Sequence, residues 1–142
     1  MFEIFDENAV LLKKNIIMVN LIIDAADDKI LFKLINLNKT YTNEYTNSKK
    51  NFDKFSLLLI KFLKKNHISL NQIKCVLVNQ GPGKFSSIRS SIASIKAFQL
   101  VYKFNFYGFS SNMLPNRDYH KLLESSYKKK LTKKLIKPLY YR

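Results

Sequence analysis

Apolar and polar positions divide the chain into short strands and longer helices. Residues 19–25 form an apolar run rich in β-branched side chains, which predicts a buried strand that ends at Asp24. Residues 29–37 alternate loosely, and residues 38–46 alternate Thr and Tyr with polar side chains. The short connection between these two segments predicts a hairpin. We therefore expect the chain to open with three antiparallel strands.

The pattern then changes to helical spacing. Phe52, Phe55, Leu59 and Phe62 recur on one stripe of residues 50–66, with Asn51 as the candidate cap. The later segments predict a strand, a helix, a strand and a helix over residues 73–79, 85–102, 104–109 and 111–126. The order βββαβαβα is typical of an α/β domain with a mixed sheet, in which parallel crossovers follow an antiparallel hairpin.

Length and composition exclude several classes of protein. The chain has 142 residues, of which 46% are hydrophobic, which suits one domain with its own core. Because no apolar run reaches the ~18 residues of a membrane-spanning helix, we expect no membrane partner. The single cysteine, Cys75, excludes an internal disulfide framework and suits the reducing cytoplasm.

The net charge of +15 permits two interpretations. A strongly basic chain is typical of nucleic-acid binding, and residues 128–137 carry six Lys in ten positions. However, 22 of the 25 basic residues are Lys, whereas specific phosphate recognition favours the planar fork of Arg. The alternatives are a basic RNA-binding module led by this tail and a lysine-coated solvated surface.

The first 17 residues match neither a secretory signal nor a transit peptide, since they hold three acids, no Arg and no long apolar run. A second methionine, Met18, comes directly before the first strand. We interpret residues 1–17 as an appendage without an assigned function, or as the result of a misassigned start.

The Gly81-Pro82-Gly83 turn lies between a predicted strand and a predicted helix. It matches neither the P-loop nor the dinucleotide fingerprint. One interpretation is an anion cradle of backbone amides at the helix N-terminus. The other is a structural turn that only glycine can make.

Asp24, at the end of the first strand, is the candidate for a phosphate or metal position. A two-metal nuclease needs several converging carboxylates, whereas the neighbouring strand ends in Asn79 and Gln80. His67, His120 and Cys75 are isolated and have no zinc-ligand spacing. No catalytic residue, metal site or cofactor is predicted; the rival interpretation is a minimal actin-like ATPase or metallopeptidase-like enzyme that uses Asp24 and the glycine turn.

Both long helices carry more apolar or small residues than one buried face needs. Residues 50–66 are apolar almost all round, and residues 85–102 pair an Ile stripe with a face of Ser and Ala. A leftover face of this kind invites another helix, from a partner or from the third helix of the same chain.

Residues 79–98, NQGPGKFSSIRSSIASIKAF, resemble the GPGSFTGLRIGVATAKG signature of the TsaB (YeaZ) family, which helps to make threonylcarbamoyladenosine in tRNA. Residues 20–26, NLIIDAA, are similar to the family's opening ILAIDTS, and the final PLYYR resembles its PxYLR close. The signature positions that match are Gly81, Pro82, Gly83, Phe85, Arg89, Ala93 and Lys96.

The resemblance implies an actin-like or ribonuclease-H-like lobe over residues 18–126, followed by a basic tail over residues 127–142. It implies a cytoplasmic, non-catalytic scaffold that pairs through packed helices with a TsaD-like catalytic subunit. A TsaE-like ATPase is a further partner, tRNA is reached indirectly through the complex, and a homodimer is an alternative assembly. The candidate contact residues are Leu57, Ile60, Ile88, Arg89, Ile92 and Ile95.

The chain also departs from the family pattern at the strand end. The family's Asp-Thr-Ser-Thr is replaced by Asp24-Ala25-Ala26-Asp27, which lacks the hydroxyls that touch phosphate. Signature glycines are replaced by Ser87, Ser91 and Phe98. We therefore expect Asp24 to be a degenerate phosphate site, which argues against nucleotide turnover by this chain alone.

Overall fold

A five-stranded mixed sheet organises the molecule. The computed structural model describes residues 18–37, 39–127 and 136–139. The strands are β1 (Val19–Asp24), β2 (Lys29–Asn36), β3 (Lys39–Thr46), β4 (Ile73–Asn79) and β5 (Asn105–Phe109). Their order is β3-β2-β1-β4-β5; the pairs β3–β2 and β2–β1 are antiparallel, and β1–β4 and β4–β5 are parallel. The predicted hairpin and mixed sheet are confirmed.

The burial pattern of each strand follows from its place in the sheet. All six residues of β1 are buried, because the strand is central and elements pack on both of its faces. β3 is an edge strand in which partly buried Tyr41 and Tyr45 alternate with exposed residues. The continuous apolar run and the polar alternation in the sequence therefore correspond to a central strand and an edge strand.

Among the described residues, four α-helices accompany the sheet: α1 (Lys49–Phe52), α2 (Phe55–Lys65), α3 (Phe85–Tyr102) and α4 (Tyr119–Tyr127). Short 3-10 turns cover Leu70–Gln72, Ser111–Met113 and Pro115–Arg117. The prediction for α3 is confirmed, whereas the predicted helix over residues 111–126 begins with two of these turns and is regular only in α4. In the described part of the chain, no helix is long and apolar enough to cross a membrane.

The predicted single helix over residues 50–66 is wrong at its start. Ser48 is the N-cap, since its hydroxyl accepts a hydrogen bond from the Asn51 amide at 3.3 Å. Asn51 lies inside α1, and its side chain donates to the Thr46 carbonyl oxygen at 2.8 Å. The chain then leaves helical geometry at Lys54, where φ is −108° and ψ is 24°, and restarts as α2.

Two hydrophobic clusters lie on the two faces of the sheet. On the first face, α2 and α3 pack over β1, β2 and β4, with the Phe32 ring in contact with the rings of Phe55 and Phe62. On the second face, α4 packs over β1, β4 and β5 through Tyr119 and Leu122. The third long helix of the chain therefore lies on the opposite side of the sheet from α2 and α3.

A short C-terminal segment, Ile136–Leu139, returns to the lobe. Ile136 is buried in the first cluster. The Leu139 amide donates to the Gln80 carbonyl oxygen at 2.7 Å, and Gln80 Nε2 donates to the Lys137 carbonyl oxygen at 2.9 Å. The predicted appendage, residues 1–17, and most of the predicted basic tail, residues 127–142, lie outside the described residues.

Candidate functional site

The carboxylate of Asp24 is buried at the end of β1, where it is 4% exposed. Its Oδ1 accepts hydrogen bonds from the Ala26 amide at 3.3 Å and from Asn79 Nδ2 at 3.0 Å. Its Oδ2 accepts from the Tyr119 hydroxyl at 2.8 Å. Both oxygens are thus engaged by donors of the same chain, so Asp24 serves as a structural acceptor that joins β1, β4 and α4.

Tyr119 and Arg117 set the electrostatics beside this carboxylate. Burial raises the pKa of the Tyr119 phenol, and the negative charge of Asp24 raises it further. Hydrogen bonds with Tyr119 and Asp27 raise the pKa of the Arg117 guanidinium, which lies 2.9 Å from Asp27 Oδ2. At neutral pH, Tyr119 therefore remains a hydrogen-bond donor to Asp24.

An open cavity of about 440 Å³ adjoins these groups. Two of its carboxylates are already paired, Asp27 with Arg117 and Asp28 with Lys84, whose Nζ lies 3.4 Å from Asp28 Oδ1. Among the described residues, no cluster of three His, Cys, Asp or Glu side chains could hold a metal ion. The rival interpretation of an enzyme that uses Asp24 gains no support from this arrangement, because the chain's own donors occupy the carboxylate.

The glycine turn packs directly against the end of β1. Gly81 has φ of +99°, in the left-handed region that favours glycine. A Cβ on Gly83 would lie 2.8 Å from the Ala26 Cβ and would clash with the Ala26 carbonyl oxygen, which accepts a bond from the Lys84 amide at 2.8 Å. Gly81 N donates to Asn79 Oδ1 at 2.7 Å. The geometry favours the structural interpretation of the turn, since the amides of Gly81 and Lys84 have partners within the chain.

A buried polar cluster ties the hairpin to α3 and was not anticipated from the sequence. Asn47 Nδ2 donates to the carbonyl oxygens of Ala25 and Asp27 at 2.9 and 2.7 Å. The Ser87 hydroxyl also donates to the Ala25 carbonyl oxygen, at 2.8 Å. The role of Ser87 could have been predicted from its position on the buried side of a helix, because a buried hydroxyl needs a hydrogen-bond acceptor nearby.

The outer surfaces of α2 and α3 remain uncovered. Leu57 on α2 is 50% exposed and Leu100 on α3 is 82% exposed. Ala93 and Ala97 are exposed on the same side of α3 as Leu100, because they lie three and four residues apart. A groove of about 550 Å³ runs between the helices beside Leu57 and Ala93. Leu57, Ala93, Ala97 and Leu100, with Arg89 and Lys96 beside them, form a surface that we refer to as the helix-pair face.

A second groove, of about 480 Å³, lies on the other side of Ala93. Phe85, Arg89 and Lys96 line it from α3, and Pro138 lines it from the C-terminal segment. The Arg89 guanidinium lies 5.1 Å from the centre of the Phe85 ring, a distance typical of a cation–π contact. The C-terminal segment thus contributes to the boundary of the helix-pair face.

No family model matches the chain. A curated relative, the tRNA threonylcarbamoyladenosine biosynthesis protein TsaB of Buchnera aphidicola subsp. Baizongia pistaciae (strain Bp), is 35% identical over 68 residues, which cover 47% of this chain and 30% of the relative. The solved structure of YeaZ from Pseudomonas aeruginosa superposes with a TM-score of 0.63 at 14% identity, covering 74% of this chain and 50% of that one.

The resemblance to the TsaB (YeaZ) family is confirmed. A second Pseudomonas aeruginosa structure, described as an uncharacterized protein with similarity to peptidase YEAZ, gives a TM-score of 0.63 at 14% identity and covers 73% of this chain and 49% of that one. These structures share the fold, so the predicted single α/β lobe of the actin-like or ribonuclease-H-like type is also confirmed. The chain spans 30% of the Buchnera TsaB and about half of the two solved structures.

The departure from the TsaB pattern at residues 25 and 26 has a packing consequence. Ala25 and Ala26 are buried, at 0% and 1% exposure. Gly83 passes so close to Ala26 that a Cβ added to Gly83 would lie 2.8 Å from the Ala26 Cβ. Ala26 therefore belongs to the tight contact between the end of β1 and the glycine turn.

The candidate contact residues of the TsaB-like helices separate into two groups. Ile88, Ile92 and Ile95 are 1%, 3% and 1% exposed, because this stripe of α3 packs onto the sheet. Their interpretation as surface contact residues is corrected, since the chain's own core buries them. Leu57 and Arg89 are exposed and Ile60 is partly exposed, so partner contact through these three stays a prediction.

Proposed function

We propose that the chain acts in the biosynthesis of threonylcarbamoyladenosine in tRNA, as a non-catalytic scaffold that pairs with a TsaD-like catalytic subunit. The relation to TsaB supports the process, because the Buchnera relative is named for it. In the proposed complex, a TsaE-like ATPase is a further partner and tRNA is reached through the assembly. The pairing uses the helix-pair face.

The observation that carries this proposal is the exposure of the helix-pair face. A half-exposed Leu57 and a largely exposed Leu100 leave apolar surface in water, and burying such surface is worth roughly 25 cal/mol per Å². In the described part of the chain, α4 packs on the opposite face of the sheet and leaves this surface open. Helix packing against a partner would remove that surface from water.

The geometry at Asp24 favours a scaffold role for the chain over a catalytic one. The carboxylate accepts three hydrogen bonds from its own chain and lies beneath Tyr119. A scaffold needs this end of the sheet only to be rigid, and a buried carboxylate that joins two strands and a helix supplies rigidity.

The test is co-purification with the TsaD-like subunit encoded by the same genome. Leu57→Glu is expected to abolish capture of the partner, because it places a carboxylate in the middle of the groove. Leu37→Glu is the matched control: Leu37 is 91% exposed in the β2–β3 connection, away from α2 and α3. Capture that survives Leu57→Glu, or no capture by the unaltered chain, would contradict the proposal.

A further inference from the structure

We infer that the Asn43 side chain closes the free edge of β3 to a second strand, so that two copies of the chain do not join their sheets edge to edge. β3 is the outermost strand on one side of the sheet and is antiparallel to β2. The inference concerns this sheet edge alone and is independent of any pairing through the helix-pair face.

The backbone groups of β3 alternate between the two sides of the strand. Two residues connect Asn36 to Lys39, the pair that closes the hairpin, so these two residues exchange both backbone hydrogen bonds. The same phase recurs just beyond the other end of β3, where the Asn47 amide donates to the Asp28 carbonyl oxygen at 2.9 Å. The odd-numbered residues of β3 therefore bond to β2, and the even-numbered residues point their backbone groups toward the free edge.

An unpaired edge of this kind is a template for another strand. β3 has eight residues, contains neither Pro nor Gly, and pairs with β2 in one uninterrupted register. Five of the eight residues are Thr or Tyr, which favour extended backbone. In a two-fold antiparallel arrangement centred on Thr42, Lys39 would lie opposite Tyr45 of the second copy, and Glu44 opposite Thr40, so no like charges would meet. The composition of β3 therefore does not by itself prevent self-pairing.

The Asn43 side chain occupies one of the backbone groups that a second strand would need. Asn43 Oδ1 accepts a hydrogen bond of 3.0 Å from the Glu44 amide, which belongs to an even-numbered position. Asn43 Nδ2 donates to the Tyr45 hydroxyl at 3.0 Å, which holds the carboxamide in this orientation. A side chain that bonds to the neighbouring backbone competes with a sheet ladder for the same amide.

The last position of the free edge is also occupied. The Thr46 carbonyl oxygen accepts hydrogen bonds from the Ser48 amide at 2.9 Å and from Asn51 Nδ2 at 2.8 Å. Within the described residues, Thr40 and Thr42 are thus the only even-numbered positions of β3 whose outward amide and carbonyl groups both lack a partner. A strand of eight residues offers a second strand only two successive bonding positions, and short edges resist pairing.

The first experiment compares Asn43→Thr with Asn36→Thr by sedimentation velocity over a range of concentrations. Asn43→Thr frees the Glu44 amide in both copies, so it is expected to lower the concentration at which half of the chains associate by about tenfold or more. Asn36→Thr is the matched control, because Asn36 is partly exposed in β2 and its backbone already bonds to β3. It should associate no more than the unaltered chain does. Equal association of the two variants would overturn the inference.

A second variant tests the same contact while Asn43 itself stays in place. Tyr45→Phe removes the hydroxyl that accepts from Asn43 Nδ2, so hydrogen exchange at the Glu44 amide should become faster. Tyr41→Phe is its control, since Tyr41 lies on the same side of β3 and is also partly exposed. An exchange rate at Glu44 that is the same in both variants would show that the Asn43 side chain is not held against this amide.

A cross-link distinguishes edge pairing from association through the helix-pair face. Thr42→Cys combined with Asn43→Thr places the two introduced thiols opposite each other when the strands pair around residue 42. The chain's own Cys75 is buried. A disulfide-linked dimer is expected from this double variant and not from Thr42→Cys alone. Association of Asn43→Thr without the cross-link, or a cross-link that forms as readily when Asn43 is present, would overturn the inference while leaving the scaffold proposal intact.

Discussion

The hydroxyl of Tyr119 lies 2.8 Å from Asp24 Oδ2 and donates the hydrogen bond that seals the end of β1. The two residues are 95 positions apart in the sequence, yet both are buried, at 5% and 4% exposure. Through this bond, α4 covers the carboxylate that the sequence analysis predicted to be a degenerate phosphate site. In the structure, Asp24 is part of the framework of the lobe.

Replacing Tyr119 by Phe is expected to destabilise the fold by about 1–3 kcal/mol, because the buried carboxylate of Asp24 loses a donor and gains none. Urea unfolding measures the change. Tyr41→Phe is the control, since Tyr41 is partly exposed on the edge strand and its change should stay within about 0.5 kcal/mol. Equal effects at both positions would contradict the role of the Tyr119–Asp24 bond.

The pH dependence of stability should also report on Tyr119. Its folded-state pKa is raised above the ordinary value of 10.0, by burial first and by Asp24 second. The folded state therefore holds this proton more tightly than the unfolded state does. The contribution of Tyr119 to the free energy of unfolding is present below pH 10 and decreases as pH rises above it. Unfolding followed across alkaline pH is expected to show this loss, and Tyr119→Phe should reduce it. An unchanged alkaline slope in the variant would refute this assignment.

Gly83→Ala is expected to cost about 1–3 kcal/mol, because the new Cβ meets the backbone and Cβ of Ala26, which belong to the end of a central strand. Gly108→Ala provides the comparison. The three heavy atoms nearest its new Cβ belong to the Gln80 side chain rather than to the backbone, so the loss of thermal stability should be smaller. A larger loss at Gly108 would mean that the contact with Ala26 relaxes easily.

Gln80→Ala is expected to loosen the C-terminal segment by removing the side-chain bond to the Lys137 carbonyl oxygen. Hydrogen exchange at the Leu139 amide, which donates to the Gln80 backbone, should become faster. Gln99→Ala removes a similar bond, to the Phe104 carbonyl oxygen, at the far end of α3. It should leave the exchange of Leu139 unchanged, and an equal acceleration in both variants would argue against a local tie.

Ile92→Asp is expected to destabilise the fold by more than about 3 kcal/mol, because Ile92 is 3% exposed and its replacement buries a charge without a partner. Ala93→Asp, one position along the same helix, places its charge in solvent and should unfold at nearly the original temperature. Thermal unfolding of the two variants distinguishes the buried side of α3 from its open side. A stable Ile92→Asp variant would restore Ile92 as a surface contact.

Local patterns predicted most of the sheet, and one helix, correctly. The hairpin, β4 and α3 follow from short-range signals: alternation, an apolar run and helical spacing between turn residues. The break between α1 and α2 was missed. Ser48, rather than Asn51, is the N-cap of α1, and the helix breaks at Lys54 although the apolar pattern continues across this residue. A periodic pattern gives the side of a helix that is apolar, but it does not detect a bend that leaves the period intact.

The site was harder to predict because it depends on contacts between distant residues. α3 carries an Ile stripe and a small-residue side, and the sequence does not say which of the two the sheet will take. Ile88 and Ile92 pack against the sheet, since larger apolar side chains gain more free energy from burial, and Ala93 remains exposed. The bond from Tyr119 to Asp24 has no local signal at all.

The place of Ile136 in the first cluster also bears on synthesis of the chain at the ribosome. Ile136 belongs to the same hydrophobic cluster as side chains of β1, which emerge more than a hundred residues earlier. Until residue 136 has left the exit tunnel, the nascent lobe lacks this member of its hydrophobic core. A chaperone that shields apolar segments would find its substrate during this interval, and translational pauses placed just before that residue should lengthen the exposure.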